Sequence, residues 1–218
     1  MADDEGGVRI GLGLVGVTGT ATDWLAVHAP ASHATLRPGA AVAEVRSTED
    51  ELGLSLPADL ATLLMVCDGT VDASAHGRDP DEYDPGLFLA QHHLLPLEEI
   101  AHVRGRGGNS DPFWGSWVPF AVTDCSLPPW GGLAVDADGR LATFHLAGGE
   151  PPSEPLTSPG YGSFSEFLAA LAEALTHGTG PLMAAVVPGF HRGALVWGPL
   201  PGEGAPWTSA YAENGATT

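Results

Sequence analysis

Four groups of residues in this chain have types and spacings that could carry chemistry. Gly11-Leu-Gly13-Leu-Val-Gly16 spells the dinucleotide-binding string, in which glycines let a pyrophosphate approach a helix N-terminus. That chemistry needs a strand in front and an acid at the end of a second strand. Only Val8-Arg-Ile10 precedes the string, and no acid follows at the required distance, so nucleotide binding is not expected. His92 and His93 form a potential metal pair. Neighbours in a strand point to opposite faces, and no H-x-x-H, H-E-x-x-H or C-x-x-C spacing occurs, so no metal is expected. Asp79, Asp81, Glu82 and Asp84 crowd a loop that ends at Gly86. A calcium loop wants Gly at position 6 and Glu at position 12. Counted from Asp79, this chain puts Gly at position 8 and Ala90 at position 12, so these acids read as a solvated or partner-facing loop. There is no G-x-S-x-G elbow, and with no Lys there can be no Ser/Lys dyad or P-loop lysine. Serines, acids and nine His leave a spatial triad open, because triads are not local in sequence.

Charge narrows the partner. The 218 residues hold 27 acids and eight bases, all Arg, for a net charge of −19. Nucleic-acid affinity rests on Lys and Arg releasing counterions from phosphates, so direct DNA or RNA binding is excluded. An anionic membrane surface is disfavoured on the same ground. A basic protein is attracted at a distance. The expected partner surface combines charge from Asp79, Asp81, Glu82 and Asp84 with an aromatic anchor, Trp114 or Trp130. Core packing is the ordinary alternative for both tryptophans. The opening MADDEGG has acids where a signal peptide needs bases and an apolar run, and no apolar stretch is long enough to span a bilayer, so a cytoplasmic protein is expected. Cys67 and Cys125 make no disulfide framework; Cys67 lies on an apolar helical stripe and reads as a core thiol.

The elements that must position these residues follow from periodicity. A first helix starts near residue 19 with Thr20 or Thr22 as N-cap and stops before Pro30. A second spans residues 38–52, with Val42, Val45 and Leu52 inward and Gly53 as its cap. A third begins at Ser55 as N-cap and buries Leu56, Leu60, Leu63, Leu64 and Cys67. Residues 86–90 read as a strand, 96–103 as a helix with Leu97, Ile100 and Val103 inward, and 117–122 as a strand. Residues 133–135 and 141–146 flank Asp138-Gly139, a type I′ hairpin signal. Ser163 and Glu166 form a capping box for a helix over 163–176, burying Phe164, Phe167, Leu168, Leu171 and Leu175. Late strands are expected at 183–187 and 194–197. The fold class is α+β: N-terminal helices packed on a mostly antiparallel sheet, with a late amphipathic helix and a C-terminal strand or hairpin. The organisation is a tail or short strand over 1–17, one domain over 18–198, and a Gly/Pro-rich flexible tail over 199–218.

In order along the chain, several pieces resemble the SUKH superfamily, specifically its Smi/Knr-type domain. They are Glu51-Leu-Gly53-Leu-Ser-Leu56-Pro57-Ala-Asp-Leu60, Leu63-Leu64, Cys67-Asp68-Gly69, Leu95-Pro-Leu-Glu-Glu-Ile100, Trp117-Val-Pro-Phe, Gly132-Leu-Ala-Val-Asp136, Ser163-Phe-Ser-Glu-Phe-Leu168 and Gly193-Ala-Leu-Val-Trp197. The long acidic stretch at 72–85 and the Pro/Gly stretch at 148–162 depart from the pattern. The resemblance implies binding rather than catalysis, with no catalytic set and no cofactor to carry over. Bacterial members are similar to immunity proteins that block toxins, many of them nucleases. The alternative it implies is a regulatory or scaffolding module without a toxin.

Overall fold

Residues 16, 19–71, 83–105, 114–123, 131–145 and 162–211 are described by a computed structural model of the chain. Helix α1 (residues 19–28) buries Ala21 and Leu25. Its threonines do not cap it. Thr20 Oγ1 donates to the Gly16 carbonyl at 2.8 Å and Thr22 Oγ1 to Gly19 at 2.9 Å, the back-bonding of hydroxyls inside a helix. A short helix α2 (Pro30–His33) follows, with proline in its first turn, where a missing N–H costs nothing.

Helix α3 (Val42–Leu52) starts later than the expected Pro38. Residues 37–40 are tied elsewhere: Arg37 N donates to Gly69 O and Ala40 N to Leu64 O. The start is fixed by Glu44, whose carboxylate accepts from the Ala41 amide at 2.6 Å. Val45 and Thr48 are buried, whereas Val42, expected inward, is 54% exposed. Gly53 ends the helix in the left-handed region. Helix α4 (Ala58–Val66) begins after Pro57, and Ser55 does not cap it. The loop amide of Leu56 is held instead by Glu49 Oε1 at 2.8 Å. The apolar stripe from Leu56 to Cys67 is buried as its spacing predicts.

Residues 86–90 form turns rather than the expected strand. Phe88 and Leu89 are buried, but Ala90 and Gln91 take φ of 46° and 75°, which breaks any extended run. Strand β1 is confined to His93–Leu94. It pairs antiparallel with β2 (Val118–Val122), and β3 (Gly131–Val135) and β4 (Leu141–His145) complete a sheet ordered β1-β2-β3-β4. Every residue of β2 and β3 is buried, consistent with a sheet covered on both faces. The β3–β4 turn is not type I′. Only Gly139 is left-handed, at φ 78°, and its amide donates to Asp136 O at 2.9 Å, as in three-residue hairpin loops. Buried Asp136 accepts from the Asp138 and Arg140 amides and ion-pairs with the Arg140 guanidinium.

Helix α5 (Leu97–Gly105) packs on α3 and β2 and buries Leu97, Ile100 and Val103. Helix α6 (Phe164–His177) packs on α4. Ser163 Oγ accepts from the Glu166 amide, while Glu166 reaches one residue further back than a capping box requires, to the Gly162 amide at 2.7 Å. Phe164 stands edge-on to Phe120, 4.9 Å between ring centres.

A second antiparallel sheet, ordered β6-β5-β7, contains β5 (Val187–His191), β6 (Ala194–Gly198) and β7 (Thr208–Ser209). The strand expected over 183–187 starts only at Val187, because residues 181–184 form a 3-10 turn. Beyond Gly198, expected as a flexible tail, the chain returns to the fold. Trp207 is 8% exposed, β7 pairs with β5, and the Tyr211 hydroxyl donates to the Leu175 carbonyl. The N-terminal helices meet this sheet, with Ala31 N donating to Gly193 O and Leu195 N to the buried Ser32 Oγ at 2.8 Å. The fold is thus α+β, helices on antiparallel sheets. No helix among the described residues is long and apolar enough to cross a membrane.

Candidate functional site

Of the six residues expected to face a partner, Asp79, Asp81, Glu82 and Trp130 lie outside the described residues. So do Cys125 and most of the Gly11–Gly16 string. Trp114 is inside the protein, 2% exposed, with its ring edge-on to Phe144 at 5.2 Å. It is a core residue and offers no anchor at the surface. Asp84 turns inward. Its Oδ1 accepts from the Gly86 amide at 2.8 Å and its Oδ2 lies 3.0 Å from His93 Nε2.

The other face of the His93 ring meets Thr70, with Nδ1 and Oγ1 3.4 Å apart. A hydroxyl, an imidazole and a carboxylate therefore stand in line, the order a nucleophilic triad uses. Their surroundings suit a different task. Thr70 is 6% exposed, and its hydroxyl donates to the Leu94 carbonyl beside it. The ring fits because residue 86 is glycine: a Cβ there would lie 2.7 Å from the imidazole. Thr70 and Asp84 flank segment 71–83, so one imidazole bridges the residues at its two ends. The sequence displayed His93 and Asp84 separately. Nothing in a nine-residue separation across irregular turns marks them as partners.

Beside this clasp is an open cleft of about 420 Å³. Tyr83, Asp84, Gln91, His92, Thr123 and Trp197 line it, and Leu87, Leu195 and Val196 supply apolar surface. Among the described residues that line it, Asp84 supplies a carboxylate. Gln91 sits in the left-handed region, which costs a non-glycine residue about 1–3 kcal/mol and persists only where neighbours enforce it. Those neighbours are visible. Gln91 Nε2 donates to the Trp197 carbonyl at 2.9 Å, and Trp197 Nε1 donates to the Phe88 carbonyl at 3.2 Å. His92 Nδ1 faces the carbonyls of Leu89 and Ala90, so it carries the hydrogen, and burial lowers the pKa of this imidazole. Tyr83 leans on the His191 ring, 5.1 Å between centres. Among the described residues, no group of three or more His, Cys, Asp or Glu is placed to hold a metal.

The residues that carry the family resemblance do structural work. Asp68 Oδ1 accepts from the Leu97 amide at 2.9 Å and so caps α5. Gly69, at φ 84°, lets the backbone of Pro96 pass where a Cβ would be only 2.5 Å away. Arg37 approaches Asp68 at 3.5 Å and Glu98 at 2.7 Å. Burial raises the Asp68 pKa, while the hydrogen bond from Arg37 lowers that of Glu98. No protein-family model matches the chain, and no curated protein is significantly similar to it.

Proposed function

We propose that this chain is a non-catalytic protein-binding module, an immunity protein that binds and neutralises a basic toxin in the cytoplasm. The observation that carries this reading is the charge: 27 acids against eight Arg, with no Lys. Such a field steers a cationic partner toward the protein and repels nucleic acid, so the protein can occupy the place that phosphates would take on a nuclease. The likeness of the ordered sequence pieces to Smi/Knr-type domains supports the same reading. So does the state of the Thr70–His93–Asp84 line, whose hydroxyl is buried and bonded to a backbone carbonyl rather than presented to a substrate.

The test is a tagged pull-down from the native host at low and moderate salt, read by mass spectrometry. One dominant basic protein, released as salt rises and lethal when expressed without this chain, is the expected result. Several salt-resistant partners with no toxicity would replace the reading with a regulatory or scaffolding module.

A further inference from the structure

We propose that the outer edge of β6 is a peptide-binding site, where Leu195 and Trp197 take up one residue of an extended segment of the partner through its main chain. This rests on the reading above of a protein-binding module and adds a place and a recognition chemistry to it. The register of β5 and β6 fixes which backbone groups are available. Val187, Gly189 and His191 stand opposite Gly198, Val196 and Ala194. In antiparallel pairing, alternate residues turn both N–H and C=O toward the neighbouring strand, and the residues between them turn both away. Leu195 and Trp197 are the ones that turn away from β5, because the Leu195 N–H donates to Ser32 Oγ and the Trp197 carbonyl accepts from Gln91 Nε2. Pro188, opposite Trp197, has no N–H to give it.

Between those two bonds lie the Leu195 carbonyl and the Trp197 N–H. Among the described residues neither has a hydrogen-bond partner. Both residues are buried, and buried backbone groups are rarely left unpaired in a finished structure. Both also line the open cleft, with Val196 between them. A carbonyl on one residue and an N–H two residues later are what a parallel neighbour uses: a single residue donates its N–H to the first and accepts from the second. An antiparallel neighbour would need the Leu195 N–H or the Trp197 carbonyl, and Ser32 and Gln91 hold those. The edge therefore takes one residue, and the two flanking bonds stop it from templating a longer strand. Gln91 is already held in the left-handed region, so this limit is set before anything binds. A cleft of about 420 Å³ lies at the small end of ligand sites, which suits one residue and its side chain rather than a helix. Main-chain bonds of this kind supply affinity, and Tyr83 and Leu87 give the bound side chain apolar surface.

The experiment uses the full chain, nitrogen-15 labelled, in an NMR titration with the neutral peptide acetyl-Thr-Val-Thr-amide, which keeps charge out of the readout. The Trp197 backbone amide should shift saturably in the millimolar range, with Val196 and the Gln91 side-chain amide moving alongside it. The same peptide N-methylated at all three residues cannot donate to the Leu195 carbonyl and should bind at least about fivefold more weakly. Thr123 is exposed at the rim, so Thr123→Trp adds bulk there without entering the core, and it should suppress the peptide response while the remaining spectrum stays native. A Trp197 amide that stays in place, equal binding of the methylated peptide, an unchanged response in Thr123→Trp, or shifts spread over the surface without saturation would each overturn the proposal. A basic partner captured in the pull-down would stand in any of those cases, with its contact elsewhere. A saturable peptide response with no toxin captured would remove the immunity reading and leave the site.

Discussion

His93 Nε2 lies 3.0 Å from Asp84 Oδ2, with 3% of the histidine side chain and 12% of the aspartate side chain exposed. A polar pair this far from water depends on both members. Removing the carboxylate in Asp84→Ala leaves a buried imidazole short of a partner, at a cost of about 1–3 kcal/mol. Gly86→Ala should cost a comparable amount, about 1–3 kcal/mol, by pushing a methyl into the same ring. The two-residue cycle Gly86→Ala with His93→Ala tests this directly in urea titrations. Removing the ring should relieve the methyl clash, so the double variant should be more stable than the two single losses added together. Strict additivity would show that the ring and residue 86 do not meet.

Helix α5 depends on a cap that lies outside it in sequence. Asp68→Ala should destabilise the protein by about 0.5–2 kcal/mol, the ordinary value of an N-terminal cap. Glu98→Gln, which removes an exposed partner of Arg37, should change stability by less than about 1 kcal/mol. Thermal melts of the two variants should therefore separate clearly, with Asp68→Ala the lower.

Two buried groups give stability a pH dependence on opposite sides of neutrality. Burial pushes the Cys67 thiol up to about 11. The unfolded thiol ionises at lower pH than the folded one, so its contribution is intact below the unfolded pKa. It is lost as pH rises toward 11, by about 1.4 kcal/mol per pH unit. Cys67→Val should flatten that alkaline slope. Burial lowers the pKa of His92, so its contribution is intact above the unfolded histidine pKa and is lost as pH falls toward the folded value. His92→Gln should reduce the acid slope. Denaturant midpoints from acid to pH 11 measure both, and an unchanged slope in either variant contradicts the assignment.

Trp207 fastens the end of the described chain. Trp207→Ala should cost about 3–5 kcal/mol if the indole packs like other buried tryptophans. Ending the chain after Gly198 should cost at least as much, since it also removes β7 and the Tyr211 bond to α6. Calorimetry of the two variants against the full chain checks both, and a truncated chain that melts at the native temperature would show that the segment is passive.

Much of this architecture was legible where local pattern and tertiary demand agree. The i, i+3, i+4, i+7 spacing of Phe164, Phe167, Leu168 and Leu171 specifies α6 because every one of those residues is also buried. The Leu56–Cys67 stripe and the β3–β4 hairpin are legible for the same reason. The misread places are those where distant contacts override local preference. Residues 86–90 have the composition of a strand, yet Gln91 is drawn into a left-handed conformation by Trp197, 106 residues away. Pro38 suits a helix start, but its neighbours are claimed by Leu64 and Gly69. The candidate site was the least legible part. Asp84 could be chosen for its charge, but its inward turn depends on the missing side chain of Gly86, and the cleft wall depends on the late strand β6.

The Ser32–Leu195 bond joins residues 163 positions apart. Its consequence concerns synthesis. The first helices emerge from the ribosome well before the strand that satisfies Ser32 and covers them, so the N-terminal half cannot reach its final packing until β6 has emerged. Contacts of such long range close slowly and leave apolar surface uncovered in the meantime. The nascent chain is therefore most exposed to proteases and chaperones before its last strands appear, and its maturation is timed by completion of the C-terminal hairpin.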